Sequence, residues 1–337
     1  MNAQEKDVLL DLVDLRTSFR IGGAYYAAVD GVNIQVYKNE VFAIVGESGS
    51  GKTALAQTIM KLHNLNYTRM EGKVLFKGVD LLPMTKPELN QYRGKEISMI
   101  FQDALSALNP LFRVGFQIEE VLVYHTNMSA NDRKLRTLEL LNQVGINNPE
   151  LAYTQYPHEL SGGMRQRAMI AMALACKPDL VIADEPTTAL DVTIQSQILD
   201  LLRALRAEMG SSVILITHDL GVVAEMADRV AVMYAGQVVE LGGVRDIFKN
   251  PKHPYTRSLL ASIPSMDKQE DMLQVIKGLV PPLHLMPRDG CRFSRRTPWI
   301  PKEHHEEDPV YHEVEPDHFV LCSCYEHFVF ENEAGGV

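Results

Sequence analysis

The sequence predicts an α/β fold with a mixed sheet, an antiparallel β subdomain, an inserted helical subdomain and a loop-rich C-terminal extension. Three observations carry that prediction. Short continuous apolar runs, such as Val41-Phe42-Ala43-Ile44-Val45 and Leu180-Val181-Ile182-Ala183, alternate with segments of helical character, the pattern of a sheet covered on both faces. The N-terminal stretches 8–19 and 28–37 instead alternate apolar with polar residues, as antiparallel strands with one buried face do. Residues 114–150 switch to helical spacing, with Ile118, Val121 and Leu122 and then Leu135, Leu138, Leu141 and Val144 separated by charges.

The elements follow in order. Gly22-Gly23 marks the turn between the first two strands. The apolar strand 41–45 leads into a glycine-rich turn and then Ala54–Met60, a run of good helix formers without a breaker. Further strands are expected at 73–77 and at 97–101, the second ending at Gln102. After the helical insertion, Ser161-Gly162-Gly163 opens a helix expected over 164–176. Strand 180–183, helix 192–208, strand 212–216 and helix 219–227 then precede a hairpin, 230–234 with 237–241, turning at Ala235-Gly236. From about residue 251 proline and histidine become frequent and periodicity weakens, which reads as a separate, loop-rich tail.

Length and composition narrow the classes. The chain has 337 residues, enough for a large α/β domain plus an appendage. Hydrophobic residues make up 46%, which supports a full core. A net charge of −10 argues against broad nucleic-acid binding. Four cysteines, Cys176, Cys291, Cys322 and Cys324, are too few and too clustered for a disulfide framework, and a reducing, cytoplasmic setting is expected. The polar stretch Met1–Asp7 does not read as a signal peptide. No run of about 18 apolar residues is available to span a membrane.

The chemistry centres on Gly46-Glu47-Ser48-Gly49-Ser50-Gly51-Lys52-Thr53. A GxxxxGK[ST] run between a strand and a helix is a phosphate cradle, so the core is that of a P-loop NTPase. Successive backbone N–H groups and the positive end of the helix attract an anion. Lys52 is expected on the β- and γ-phosphates and the Thr53 hydroxyl on Mg²⁺. Asp184 and Glu185 follow an apolar strand, which places Asp184 to hold Mg²⁺ and Glu185 to polarise a water for attack on the γ-phosphate. Alone, such a pair is more often an ordinary polar strand end. His218 follows its strand in the same way and could hydrogen-bond a γ-phosphate oxygen or the attacking water, although a lone histidine there is usually structural. Gln102, at another strand end, could touch Mg²⁺ or water. Ser161, as an N-cap, and the two glycines after it make a second anion site at a helix start. One chain offers no second phosphate for it, so the simplest resolution is a nucleotide held by another subunit.

Taken together, GESGSGKT (46–53), Gln102, LSGGMRQR (160–167), LVIADE (180–185), Thr188-Ala189-Leu190-Asp191 and His218 resemble the nucleotide-binding subunit of an ABC transporter over roughly residues 8–245. The resemblance makes Gly46–Thr53 Walker A, Gln102 the Q-loop, Ser161–Met164 the signature and Ala189–Asp191 the D-loop. Asp184 and Glu185 become Walker B and catalytic base, and His218 the switch histidine. It also implies an upstream aromatic stacked on adenine; Phe19 is the candidate, with Tyr25 and Tyr26 as alternatives and a core role for Phe19 left open. Phe101-Gln102-Asp103-Ala104, Ala107-Leu108-Asn109-Pro110, Met164 and Asn250-Pro251-Lys252-His253-Pro254-Tyr255-Thr256 resemble the importers of di- and oligopeptides. By that resemblance residues 1–250 form the nucleotide-binding domain, with the helical subdomain at about 103–176, and residues 251–337 the oligopeptide-transporter-type extension.

Many such relatives carry four cysteines in the tail, arranged as an iron–sulfur site. Here Cys291 survives, Cys322 or Cys324 could be the last, and by spacing the middle positions are Thr297 and His304. Threonine is a poor ligand for iron–sulfur chemistry, so no such cluster is expected. Cys291, His304, His305, Cys322 and Cys324 could still form a zinc site, or the tail could fold on its own packing. Cys176 is expected to be a small buried hydrophobe in a helix.

The resemblance implies an ATPase that uses ATP and Mg²⁺ to power oligopeptide import, with dipeptides, nickel or another small solute as alternative cargo. It further implies a paralogous ATPase partner in a heterodimer, two transmembrane permease subunits, an extracellular peptide-binding protein acting indirectly, and a place on the cytoplasmic face of the cell membrane. A DNA-repair-type ABC ATPase shares the motifs. The short spacer between Gln102 and Ser161, the absence of heptads and the acidic charge disfavour it, and no nucleic-acid partner is expected.

Overall fold

The structure is a computed structural model that describes residues 7–187, 192–262 and 278–330. Its elements begin with two long strands, β1 (Val8–Ile21) and β2 (Ala24–Tyr37), joined by the Gly22-Gly23 turn. β3 (Val41–Val45) is buried at every position, and α1 (Lys52–Ile59) follows the glycine-rich turn. Next come β4 (Thr68–Phe76), β5 (Val79–Asp80), α2 (Lys86–Leu89), β6 (Ile97–Ile100) and α3 (Ala104–Ala107). Four helices make the insertion and its exit: α4 (Val114–His125), α5 (Ala130–Gln143), α6 (Pro149–Thr154) and α7 (Gly162–Ala173). The α/β pattern resumes with β7 (Leu180–Asp184), α8 (Val192–Met209), β8 (Ser212–Ile216), α9 (Leu220–Met226), β9 (Arg229–Tyr234) and β10 (Gln237–Gly243). The chain closes with α10 (Val244–Lys249), α11 (Pro254–Ala261), β11 (Tyr311–Glu315) and β12 (His318–Leu321). Among the described residues no helix is long and apolar enough to cross a membrane.

These elements form two compact units. One is drawn from Met1–Leu10, Val36–Val41 and Phe76–Ile216, the other from Asp11–Gln35, Phe42–Leu75 and Thr217–Val337. In the first, β6, β7 and β8 run parallel, with Ile100 beside Ala183 and Asp184 beside Ile216. Each is apolar throughout or nearly so, and all three are fully buried, as strands covered on both faces must be. The inserted helices α4, α5 and α6 pack on one another, and α7 packs on α4 and α5 and on β6. Ser129 and Asn148 cap α5 and α6 by accepting from the N–H groups of Asp132 and Leu151, which satisfies donors that a helix start leaves unpaired.

In the second unit β3 runs parallel to β9, Val45 beside Val232, and β9 turns through Ala235-Gly236 into antiparallel β10. The sheet there is therefore mixed. The tail is not the separate segment its weak periodicity suggested: β12 pairs antiparallel with β10, Glu240 beside Val320, and β11 pairs with β12. Glu240 is fully buried on β10. Its carboxylate accepts from the N–H groups of Lys252 and His253, at 2.8 and 2.9 Å, and lies 2.8 Å from His318 Nε2. A buried carboxylate needs such partners, and they fasten the tail to the sheet at residues 252–253 and at His318.

Candidate nucleotide site

The glycine-rich turn is shaped by close backbone approach. At Gly46 (φ 151) an added Cβ would lie 2.2 Å from the Met233 carbonyl oxygen, and at Gly51 (φ 105) 2.5 Å from that of Ala28. Side chains at either position would push the loop open. Lys52 is buried, and its Nζ donates to the carbonyls of Gly46 and Glu47 at 2.8 and 3.0 Å, so the ammonium lies over the loop. Thr53 is exposed one residue into α1. The loop therefore presents a cation, a hydroxyl and the positive end of a helix, which together suit a polyphosphate.

Glu47 is held from three sides. Its N–H donates to the Tyr255 hydroxyl at 2.7 Å, its carbonyl accepts from Lys52, and its carboxylate pairs with Arg296 Nη1 at 2.6 Å. Tyr255 follows His253, whose Nδ1 accepts the Tyr255 N–H at 3.0 Å and caps α11. Burial lowers the His253 pKa to about 4, which keeps Nδ1 an acceptor. Glu47, expected among the nucleotide contacts, also braces the loop, tying it to α11 and to residues near 296. Tyr255 and Arg296 are missed by motif reading; the Asn250–Thr256 run was visible, but its purpose was not.

In the other unit the strand ends assemble a carboxylate site. β7 ends at Asp184, which is 2% exposed. Glu185 follows at φ 46, a left-handed conformation rare for a glutamate, and its N–H donates to the Ile216 carbonyl at 2.8 Å. Strain of this kind concentrates where a side chain must be aimed. Gln102, two residues beyond β6, donates through Nε2 to Glu185 Oε2 at 3.1 Å. The structure therefore unites Gln102, Asp184 and Glu185 in one unit.

Thr217 donates its N–H to the Ile44 carbonyl at 3.3 Å, which sets the turn carrying exposed His218 beside β3. Asp219 then caps α9 by accepting from Gly221 and Val222. Phe19 is half-buried and meets His63 edge-on at 5.1 Å. Tyr25 carries the Arg69 guanidinium 3.9 Å from its ring centre.

Ser161 caps α7, accepting the Met164 N–H at 3.3 Å, and both Ser161 and Gly162 are exposed. Gln166 anchors that helix by donating to the Pro186 carbonyl at 2.7 Å, the turn just after Glu185. Asp191, with Thr188, Ala189 and Leu190, lies outside the described residues.

Comparison with known proteins decides the family. The ABC transporter profile matches residues 29–188, and that of the oligopeptide/dipeptide transporter C-terminal region matches residues 239–299. The oligopeptide transport ATP-binding protein OppD of Lactococcus lactis subsp. cremoris (strain SK11) is 48% identical over 330 residues, covering 98% of each chain. The chain belongs to the ATP-binding subunits of ABC transporters. OppD of Bacillus subtilis (strain 168) is 51% identical over 315 residues, 93% of this chain and 87% of that one. Among solved structures, an ATP-binding cassette dimer in a post-hydrolysis state with ADP and Pi superposes with a TM-score of 0.64 at 30% identity, over 70% of this chain and 99% of that one. The cassette from Clostridium perfringens called cbiO1, part of the transporter complex cbiONQ, gives 0.61 at 27% identity, over 73% and 92%.

Two expectations for this ABC subunit are corrected outside the loop and strand ends. Cys176 lies in the turn beyond α7, which stops at Ala173, and is only part-buried; the apolar run outlasts the helix by three residues before Lys177-Pro178-Asp179 breaks it. In the tail, His304, one of the five residues offered for a zinc site, does not join the cysteines. The Thr297 hydroxyl lies 3.4 Å from the carbonyls of Phe293 and Ser294, and the His304 ring lies against His327 with centroids 3.8 Å apart. His305 stands with Cys291, Cys322 and Cys324.

Proposed function

We propose that this chain hydrolyses ATP to energise oligopeptide import through a membrane ABC transporter. The observation that supports the cargo is the near end-to-end similarity to oligopeptide transport ATP-binding proteins, tail included. Functionally the chain divides at about residue 250, into a nucleotide-binding domain (1–250) with its helical insertion (about 103–176) and the extension 251–337.

Each group has a part that follows from its chemistry. Backbone N–H groups of Gly46–Thr53 and the Lys52 ammonium bind the phosphates, and Phe19 stacks on adenine. Thr53, Asp184 and Gln102 offer oxygen ligands of the kind Mg²⁺ takes, and Asp184 ends its strand as a buried carboxylate. When bound, Mg²⁺ neutralises charge on the phosphate oxygens. Glu185 accepts the proton of the attacking water while Gln102 orients its carboxylate, and His218 hydrogen-bonds the γ-phosphate. The Ser161-Gly162-Gly163 turn and Asp191 serve a nucleotide shared with a paralogous ATPase subunit. Two ATP molecules lie between the two subunits, and their closure and opening drive two permease subunits at the cytoplasmic face of the membrane, to which a peptide-binding protein delivers cargo.

Uptake tests this reading. Cells lacking the gene should lose accumulation of a labelled oligopeptide and recover it with the wild-type gene but not with a Glu185→Gln copy. Undiminished uptake in the deletion strain would refute the cargo assignment.

A further inference from the structure

Cys291, His305, Cys322 and Cys324 take no part in the nucleotide chemistry, yet they converge. One ligand atom from each, three sulfurs and an imidazole nitrogen, lies within 4.8 Å of all the others. The three cysteines are buried free thiols. Both ring nitrogens of His305 are shut from solvent, and the imidazole faces the Cys322 thiol. Ring nitrogens withheld from water need another polar partner, and a thiol is only a weak one. Cys322 adopts φ 73 directly after β12, a backbone state that a cysteine holds only when its surroundings impose it.

We propose that these four side chains hold one tetrahedral zinc ion rather than an iron–sulfur cluster. Zinc bound at about 2.3 Å from sulfur and about 2.0 Å from nitrogen sets tetrahedral donors roughly 3.3–3.8 Å apart. The observed set needs only small inward shifts to reach that. In a cluster the thiolates sit on different irons and stand farther apart, and the usual donor set is four thiolates. Here three are gathered, and the hydroxyl of Thr297 turns to backbone carbonyls.

All four positions of such an ion are filled by protein, which makes it a structural centre. Its effect reaches the phosphate loop through the residues after Cys291. Arg292 pairs with Asp30 and donates to the Ala235 carbonyl, Phe293 meets the Tyr234 ring edge-on at 5.2 Å, and Arg296 holds Glu47. The ion thereby fixes the turn that braces Walker A.

Metal analysis of the full chain, produced with both zinc and iron supplied and purified without chelator, tests this. The expected result is about one zinc per chain, no acid-labile sulfide and a colourless protein, with zinc released as a mercurial reagent titrates the thiols. His305→Ala should lower zinc content while the far-UV circular dichroism is kept; if that variant fails to fold, the mercurial titration of the wild-type chain decides. Iron with labile sulfide, absence of metal, or a disulfide between any two of the cysteines in mass spectrometry would each overturn the proposal.

Discussion

The side-chain amide of Gln102 donates to Glu185 Oε2 at 3.1 Å, joining residues 83 positions apart. Each ends a strand connection of the same parallel sheet, β6 and β7, whose register places Ile100 beside Ala183. Pairing of the strands therefore dictates pairing of the side chains. The amide fixes one carboxylate oxygen of a residue whose backbone is already held in a strained conformation, and preorganisation of this kind is where catalytic electrostatics gains most.

Gln102→Ala removes that donor. A hydrogen bond to a charged group contributes about 1.5–3 kcal/mol. If most of it acts on the transition state, kcat for ATP should fall roughly 10- to 100-fold with a much smaller change in KM. Steady-state ATPase kinetics with the assembled transporter measures this, and an unchanged kcat would mean the pair is incidental.

Lys52→Ala deletes the cation lying over the phosphate loop. Nucleotide affinity should drop by about tenfold or more, since charge-assisted contacts are lost from a buried position. Titration with a fluorescent ATP analogue reads the change, and adenosine should be affected far less than ATP.

The brace on Glu47 can be cut without touching the loop. Arg296→Ala leaves Glu47 unpaired on a side chain that keeps 30% of its exposure, while Arg296 itself is 5% exposed. Breaking a buried pair costs about 3–5 kcal/mol, and access of Glu47 to water puts this one at or below the low end. A lowered melting temperature with a weaker response to added ATP is expected, and Tyr255→Phe should act the same way more mildly. A melting temperature equal to wild type in both variants would show that the tail does not support the loop.

Much of this was legible in the sequence because motifs sit where strand ends must be. Continuous apolar runs located β3, β7 and β8, and Gly46, Glu185 and His218 follow them within two residues. The helical insertion was legible from its period, though Leu135 on α5 faces outward. What was hidden depends on long-range contact. β11 reads Tyr-His-Glu-Val-Glu and is half-exposed along its length, so its pairing with β12 leaves no apolar signature. Arg296 and Glu47 meet across 249 positions. His305 rather than His304 joins the cysteines because Lys302–His304 forms a single tight helical turn, and counting spacers cannot resolve a one-residue rotation.

The central claim is that Glu185 is the base that activates water for attack on ATP. Single-turnover hydrolysis by Glu185→Gln, with ATP binding measured on the same preparation, tests it most directly. Binding should stay close to wild type, with hydrolysis slowed by about 10²–10⁴-fold, the span of general base catalysis, so that ATP accumulates on the assembled subunits. Hydrolysis at the wild-type rate with full ATP occupancy would contradict it.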